Sequence, residues 1–462
     1  MQVRTSNFVS PIHRNAVKYI IEGGHPLHGE VSAQSAKNAF GKQLVASLLT
    51  DEPCTFYNVP RITETDAILD MLREVGTTFE WVEEKTLIVQ TKTVTNSTVG
   101  QLYSAFNRIP ILMIAPLLHR AGRASVPAVG GCRIGARPVD FHINLLVSMG
   151  AHIEVSDEGY HASTKRLHGT TITLPYPSVG ATENAIAATT VAAGTTVIYN
   201  AAVEPEIIDT ILFLQKMGAL IQIDVDRKII IEGVERLHGA THRPMPDRIE
   251  VASFAVAAAA TGGRVTVRNA QQEHMVTFLN TFRKAGGGID VTLDGITFYK
   301  AEKNLRPVHI ETDVHPGFMT DWQQPLVILL TQASGISIVH ETVYEDRFGY
   351  TEMLRQMGAS IHLSTACMGS KQCRWKDHDY LHSCVIQGPS KLRGTTISIP
   401  DLRAGFAYLT AALVAEGQTE VRAIKYIDRG YEHVPDKLRA LGATLKIVDD
   451  EDVFPELPPK AG

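Results

Sequence analysis

The stretch GGCRIGARPVD (130–140) sets a cysteine behind two glycines and ahead of two arginines. Glycines permit an exposed loop, and the guanidinium charges of Arg133 and Arg137 lower the pKa of a neighbouring thiol. Cys132 is therefore a candidate reactive residue, although a structural cysteine in a glycine turn gives the same letters. SAKNAF (35–40) puts Lys37 and Asn38 at the start of an apolar helix. Main-chain N–H groups and an ammonium at such a place suit a phosphate; a solvated lysine is the alternative. Arg403 in PDLRAGF (400–406) and Arg429 in IDRGYEH (427–433) stand at turns between segments. Arginine binds carboxylate or phosphate in a bidentate way, and each is equally open to a plain surface role. FMTDWQQP (318–325) and HETVYEDRFGY (340–350) supply Asp321, Glu345 and Arg347. A carboxylate beside a substrate hydroxyl can act as general base, or these charges form structural ion pairs.

The polar segment 364–384 gathers Cys367, Cys373, His378, His382 and Cys384. These residue types bind zinc, but Cys-x5-Cys is not one of the usual ligand pairs. A folded surface hairpin is the reading, and no metal is expected. There is no P-loop, and the glycines near Cys132 do not open a helix after a strand as a dinucleotide fingerprint does, so no cofactor is expected either.

The elements that must position these residues repeat. A helical segment ending in Gly, followed by a short alternating stretch, recurs six times, at Gly76, Gly150, Gly218, Gly286, Gly358 and Gly442, with intervals of 74, 68, 68, 72 and 84 residues. Glycine suits the position just past a helix end, where φ is positive, and the alternation reads as a strand. Each unit also carries a turn into a β-branched strand, such as TTVIYNAA or RVTVRNA, and several carry an Ala-rich helix, as in 183–193 and 251–260. Six mixed α/β units of about 70 residues exceed any solenoid or blade period. They fit a duplicated protein with three units per domain, a crossing near THRPMPDRIE (241–250), and a cleft between the domains as ligand site. The longer last interval maps to the 364–384 insert, and PELPPKAG reads as a frayed tail.

The chain has 462 residues, 44% hydrophobic and 20% charged, which gives sizeable cores and excludes disordered and fibrous classes. A net charge of −5 provides no bulk basic field, so no nucleic acid or anionic membrane partner is expected. No apolar run is long enough to span a membrane, the N-terminus lacks a secretory h-region, and five cysteines are too few for a disulfide framework. A cytoplasmic location is expected.

Taken together, the segments resemble the enolpyruvyl transferases, on the UDP-N-acetylglucosamine 1-carboxyvinyltransferase branch. The resemblance runs from about residue 19 to 448, with motifs in the family's order: AKN, an Arg before an apolar helix, GGCRIGARPVD, SVGATEN, PDRIE, TD-x-Q, ETVYE-x-RF, DLRA and DRGYE. It implies an α/β fold of two inside-out α/β barrel domains, each of three repeated units. One domain would be 37–245, with the cysteine loop; the other would be 1–36 plus 246–462. The implied reaction moves the enolpyruvyl group of phosphoenolpyruvate to the 3′-hydroxyl of a UDP-sugar and releases phosphate, the first committed step of peptidoglycan precursor synthesis.

By motif, Cys132 resembles the residue that protonates C3 of phosphoenolpyruvate and is alkylated by fosfomycin, and Asp321 the base that takes the acceptor's proton. Lys37, Arg137, Arg403 and Arg429 match the cations around phosphate and carboxylate. Asn38, Arg108, Arg137, Pro138, Val139, Asp140, Phe141, Ser178, Val179, Gly180 and Val343 correspond to sugar-nucleotide contacts. Arg347 and Glu345 fall at family positions that flank the cleft. The shikimate-branch enzyme lacks the Gly-Gly-Cys loop and is disfavoured.

Several positions depart from the family pattern. Gln34-Ser35 stand for Ser-Gly, Ile109-Pro110 for Ala-Ser after Arg108, Val129 for Pro, Met319 for Pro, and Tyr176-Pro177 for Lys-Val, while Trp322 follows Asp321. The cations are intact and the changes gather where the acceptor would lie. Another nucleotide hydroxyl, such as that of UMP in nucleoside secondary metabolism, is therefore the alternative acceptor.

Overall fold

A computed structural model describes residues 17–101, 107–130, 139–371 and 373–450. The Cys132 loop through Pro138, and the C-terminal tail, lie outside these residues.

The six units are present, and five are built alike. An edge strand runs parallel to a second strand, and two further strands pair antiparallel beside it; in the unit around Gly442 these two are Val17–Glu22 and Thr444–Asp449. In the unit around Gly218 the order in space is Leu220–Asp224, Lys228–Glu232, Thr195–Tyr199, Thr171–Thr173. Five sheets have four strands. The sixth, around Gly150, has three, and an isolated parallel bridge between Thr98 and Ser125 stands where its fourth strand would begin. All the sheets are open, and none closes on itself among the described residues.

The six repeat glycines adopt φ between 93° and 105°. At each the chain leaves a helix and doubles back into a strand, which requires the left-handed region that a Cβ disfavours. This is why a glycine recurs at about 70-residue intervals.

Several helices are buried almost throughout, while others, such as Val276–Lys284, keep an exposed face. Helices Arg248–Ala260, Gln323–Thr331 and Leu402–Val414 pack against one another and are buried almost throughout. A helix apolar on every face can only be buried, and alanine lets neighbouring backbones approach. Phe254 and Phe406 meet edge to face at 5.0 Å where two of these helices cross. In the first half, helix Ile109–Ala121 packs against Lys37–Ala46 and Val179–Thr189.

There are two large hydrophobic cores. One draws on residues between Phe40 and Leu237, the other on Tyr19–Ala33 together with residues from Ile249 to Leu445. Polar ties join the two halves. Arg248 forms a buried ion pair with Glu206 at 2.9 Å, and Arg227 donates to the His315 carbonyl. No helix among the described residues is long and apolar enough to cross a membrane.

Candidate active site

Four cations from both halves converge on two carboxylates, the buried Glu64 and the half-buried Asp321. Lys37 is the first residue of helix Lys37–Ala46, and its Nζ lies 3.2 Å from Glu64 Oε1. Arg429 follows the short helix Lys425–Asp428, and its Nε donates to Glu64 Oε2 at 2.6 Å. Glu64 sits in the first turn of helix Thr63–Glu74 and is 4% exposed. Burial pushes its carboxyl up, but Lys37 and Arg429 together hold it below the usual carboxylate range. Lys37 is driven the other way. Burial lowers its ammonium to about 8, Glu64 opposes this, and Arg429 and Arg403 add to the lowering.

Asp321, in the 3-10 turn Thr320–Trp322, forms the second node. It accepts from Arg347 Nη2 at 2.6 Å and from Arg403 Nε at 3.2 Å. Arg403 occupies the first turn of helix Leu402–Val414, whose N-cap Asp401 accepts from the main-chain N–H of Arg403 and Ala404. Burial disfavours the Arg403 and Arg347 cations, but Asp321, together with Tyr431 and Asp247 for Arg403 and with Asp401 and Glu341 for Arg347, holds both guanidinium groups above their ordinary range. Arg403 also donates to the Tyr431 hydroxyl at 3.5 Å, two residues beyond Arg429.

Of the expected residues, Lys37 and Arg429 thus meet on Glu64 and Arg403 meets Asp321, and the charges of Arg429 and Arg403 both act on Lys37. Arg137 lies outside the described residues, as do Cys132 and Pro138.

The expected acceptor contacts in the first half also converge. Arg108 is the N-cap of helix Ile109–Ala121, Val139 that of Asp140–Ser148, and Ser178 that of Val179–Thr189. His142 links them, although no motif or spacing pointed to it. A Cβ on Gly180 would lie 3.2 Å from His142 Cε1, and burial, reinforced by the Arg108 charge, lowers the imidazole to about 3. His142 is therefore a neutral group. Phe141 and Val179 pack half-buried against the first core, and Asp140 is exposed. Asn38 is half-buried beside Lys37, and its carbonyl accepts from Lys42 Nζ at 2.7 Å. On the other side, Glu341 accepts from the Val343 and Tyr344 main-chain N–H and from Thr320 Oγ1. One buried carboxylate thereby fixes the Val343 turn against the Asp321 turn. Glu64 did not stand out in the sequence, because a lone Glu carries no spacing signal, and Glu341 lay inside the ETVYE motif without a role assigned to it.

Several departures from the family pattern serve the framework instead of the acceptor. Gln34 donates to the Gly430 carbonyl and accepts from the Glu432 N–H, both at 2.7 Å, and so clamps the turn that follows Arg429. Trp322 is 1% exposed between Phe278 and Phe318, and Ile109 is 5% exposed in the first core. Tyr176 is different. The Arg374 guanidinium lies 4.1 Å from its ring centroid, and Arg374 also donates to the Val343 carbonyl, so these acceptor-side segments meet across the two halves.

Comparison with known proteins agrees with this geometry. The family model for EPSP synthase (3-phosphoshikimate 1-carboxyvinyltransferase) matches residues 21–438. The chain belongs to the carboxyvinyltransferase family. The UDP-N-acetylglucosamine 1-carboxyvinyltransferase of Protochlamydia amoebophila is 52% identical over 95% of this chain and 96% of its own. The enzyme of that name from Chlamydia abortus is 46% identical over 93% and 98%. Among solved structures, the enolpyruvyl transferase NikO from Streptomyces tendae superposes with a TM-score of 0.83 at 22% identity, over 95% of this chain and all of that one. An EPSP synthase from Acinetobacter baumannii gives 0.72 at 16%, over 94% and 100%. These two share the carboxyvinyltransferase fold with the chain. The enzyme is accordingly an enolpyruvyl (carboxyvinyl) transferase.

Proposed function

We propose that this carboxyvinyltransferase transfers the enolpyruvyl group of phosphoenolpyruvate to the 3′-hydroxyl of UDP-N-acetylglucosamine and releases phosphate. The observation that carries the transfer is the meeting of Lys37 and Arg429 on Glu64, with Arg403 held on Asp321 nearby. The identity of about half the residues with enzymes named for that sugar nucleotide carries the acceptor. The proposed partners are these two small molecules, with fosfomycin as an inhibitor.

Phosphoenolpyruvate brings close to three negative charges into a cleft where Glu64 and Asp321 already pair with the cations. Its phosphate and carboxylate exchange with or add to these anions, and the cations then stabilise charge as it develops. Asp321, ionised between two guanidinium groups, accepts the acceptor's proton. The acceptor oxygen bonds to C2 while Cys132 delivers a proton to C3, giving a tetrahedral adduct. Loss of a C3 proton and cleavage of the C2–O bond to phosphorus then give the enol ether and phosphate. Because Glu64 and Arg429 belong to different halves, ligand binding draws the halves together and excludes water.

We infer the domain division 37–245 against 1–36 plus 246–462, with both domains of the inside-out barrel type. The two separate cores and the central buried helices support it.

The test is phosphate release from phosphoenolpyruvate with UDP-N-acetylglucosamine, UDP-glucose, UMP and shikimate 3-phosphate. Turnover with the first alone is expected. Turnover with UMP or shikimate 3-phosphate in its place would overturn the acceptor assignment.

A further inference from the structure

In the unit around Gly358, strand Ser360–Ser364 and strand Ser383–Gly388 are joined by the 364–384 insert. The corresponding hairpins elsewhere turn in a few residues, as between Ser156 and Gly159 or Thr292 and Gly295. The insert folds back over the end of its own sheet. It brings Cys367 and Cys373 to His382, which precedes the second strand, and to His340, the last residue of the neighbouring strand Gly335–His340. One donor atom from each of the four lies within 4.8 Å of every other. His340 and His382 are fully buried and Cys373 is 9% exposed; Cys367 lies outermost.

Hydrogen bonding fixes both imidazoles with a lone pair turned to this centre. His382 Nδ1 is 2.7 Å from the Tyr380 carbonyl, which can only accept, so Nδ1 carries the proton. Its Nε2 is then unprotonated, 3.4 Å from Cys367 Sγ. Ser383 Oγ gives its own proton to the Ala366 carbonyl at 2.6 Å and so accepts from His340 Nδ1 at 2.8 Å. That leaves His340 Nε2 as a lone pair, buried and without a hydrogen-bond partner. An orphaned buried acceptor is costly, and metal-binding histidines commonly donate from their other nitrogen in this way. Cys373 Sγ accepts from the Trp375 main-chain N–H at 3.4 Å.

The backbone supports the same arrangement. A Cβ on Gly369 would come within 2.5 Å of His340 Cδ2, so the Cys-x5-Cys turn needs glycine there to close over the histidine. Glu311 anchors the turn by accepting from Ser370 Oγ at 2.8 Å and Lys371 N at 3.0 Å.

We propose that His340, Cys367, Cys373 and His382 bind one Zn²⁺ in a closed, four-coordinate structural site, the two thiols releasing their protons to solvent. Zn–S of about 2.3 Å and Zn–N of about 2.0–2.1 Å imply tetrahedral edges of roughly 3.3–3.8 Å, so small side-chain movements suffice. The expectation of no metal rested on spacing within the insert; it could not include His340, which the sheet supplies from another strand. A Cys367–Cys373 disulfide would leave His340 Nε2 unpartnered. The site does not depend on the reading of the cleft. Its reach toward the cleft runs through Arg374, next to Cys373, which holds the Val343 carbonyl and Tyr176.

The experiment uses the full chain purified without metal-affinity resin. Elemental analysis is expected to give about one zinc per chain, released when a mercurial reagent titrates the thiols. Apo protein reloaded with Co²⁺ is expected to show the intense visible bands of a tetrahedral site and sulfur-to-cobalt charge transfer. Cys367→Ser and Cys373→Ser should each lose the metal, while His378→Ala, an exposed neighbour in the same insert, should keep it. Should the cysteine variants fail to fold, zinc content and the cobalt spectrum of the unaltered protein still decide. Less than a tenth of an equivalent after equilibration with Zn²⁺, a cobalt spectrum without sulfur ligation, or a metal-free Cys367–Cys373 disulfide would each overturn the proposal.

Discussion

Lys37 offers a test of the electrostatics of the cleft. Its ammonium is buried, and the drop from 10.5 to about 8 corresponds to about 3 kcal/mol against the charged form. A charged Lys37 is needed to hold an anion, and it is charged only below about pH 8. The kcat/KM for phosphoenolpyruvate, read by phosphate release, is therefore expected to fall above that pH with unit slope, because kcat/KM reports the free enzyme. Glu64 at 3.2 Å is what holds the value from falling further. Glu64→Gln should move the alkaline limb down by about one to three pH units, the usual influence of an adjacent opposite charge. Lys37→Arg should abolish the limb, since a guanidinium stays protonated. Stability follows the opposite sign. Between about pH 8 and 10.5 the unfolded chain holds a proton that the folded protein has lost, so this group's contribution to stability rises with pH across that window. A limb that stays in place in Glu64→Gln, or persists in Lys37→Arg, would refute the reasoning and assign the titration elsewhere.

Three further outcomes are expected. Arg403→Ala should lower kcat/KM for phosphoenolpyruvate by roughly 10²–10³, about 3–4 kcal/mol, and leave nucleotide binding by calorimetry nearly unchanged; equal loss on both sides would remove Arg403 from the phosphoenolpyruvate site. Fosfomycin should add once per chain, and Cys132→Ser should show no adduct by intact mass. Burial pushes the Cys54 thiol up to about 11 and that of Cys384 to about 12, so neither competes. Gln34→Ala removes two buried hydrogen bonds that hold the Gly430–Glu432 turn and should cost about 1–3 kcal/mol in denaturant unfolding. It should also raise KM for phosphoenolpyruvate through Arg429; an unchanged midpoint would mean that the turn holds itself.

What was legible in the sequence was whatever repeats or stays local. The six glycines at about 70-residue intervals disclosed the units because each helix-to-strand reversal needs the same positive φ. The Ala-rich segments disclosed buried helices because a helix without a polar face has nowhere else to go. Lys37, Asp321, Arg403 and Arg429 were visible as charges at element starts and turns. Tertiary structure alone decided which charges meet. Glu64, which has no local pattern, reaches Arg429 across 365 positions, and Glu341, inside a motif that does not name its partner, ties the Val343 turn to Thr320. The same reason hid the four-residue cluster of the insert. Two of its ligands lie six residues apart, but His340 arrives from an adjacent strand through sheet register, pairing with Ser383. Strand pairing brings distant residues together without leaving a mark on their spacing, so sequence reveals the repeated frame and only the folded chain reveals the partners.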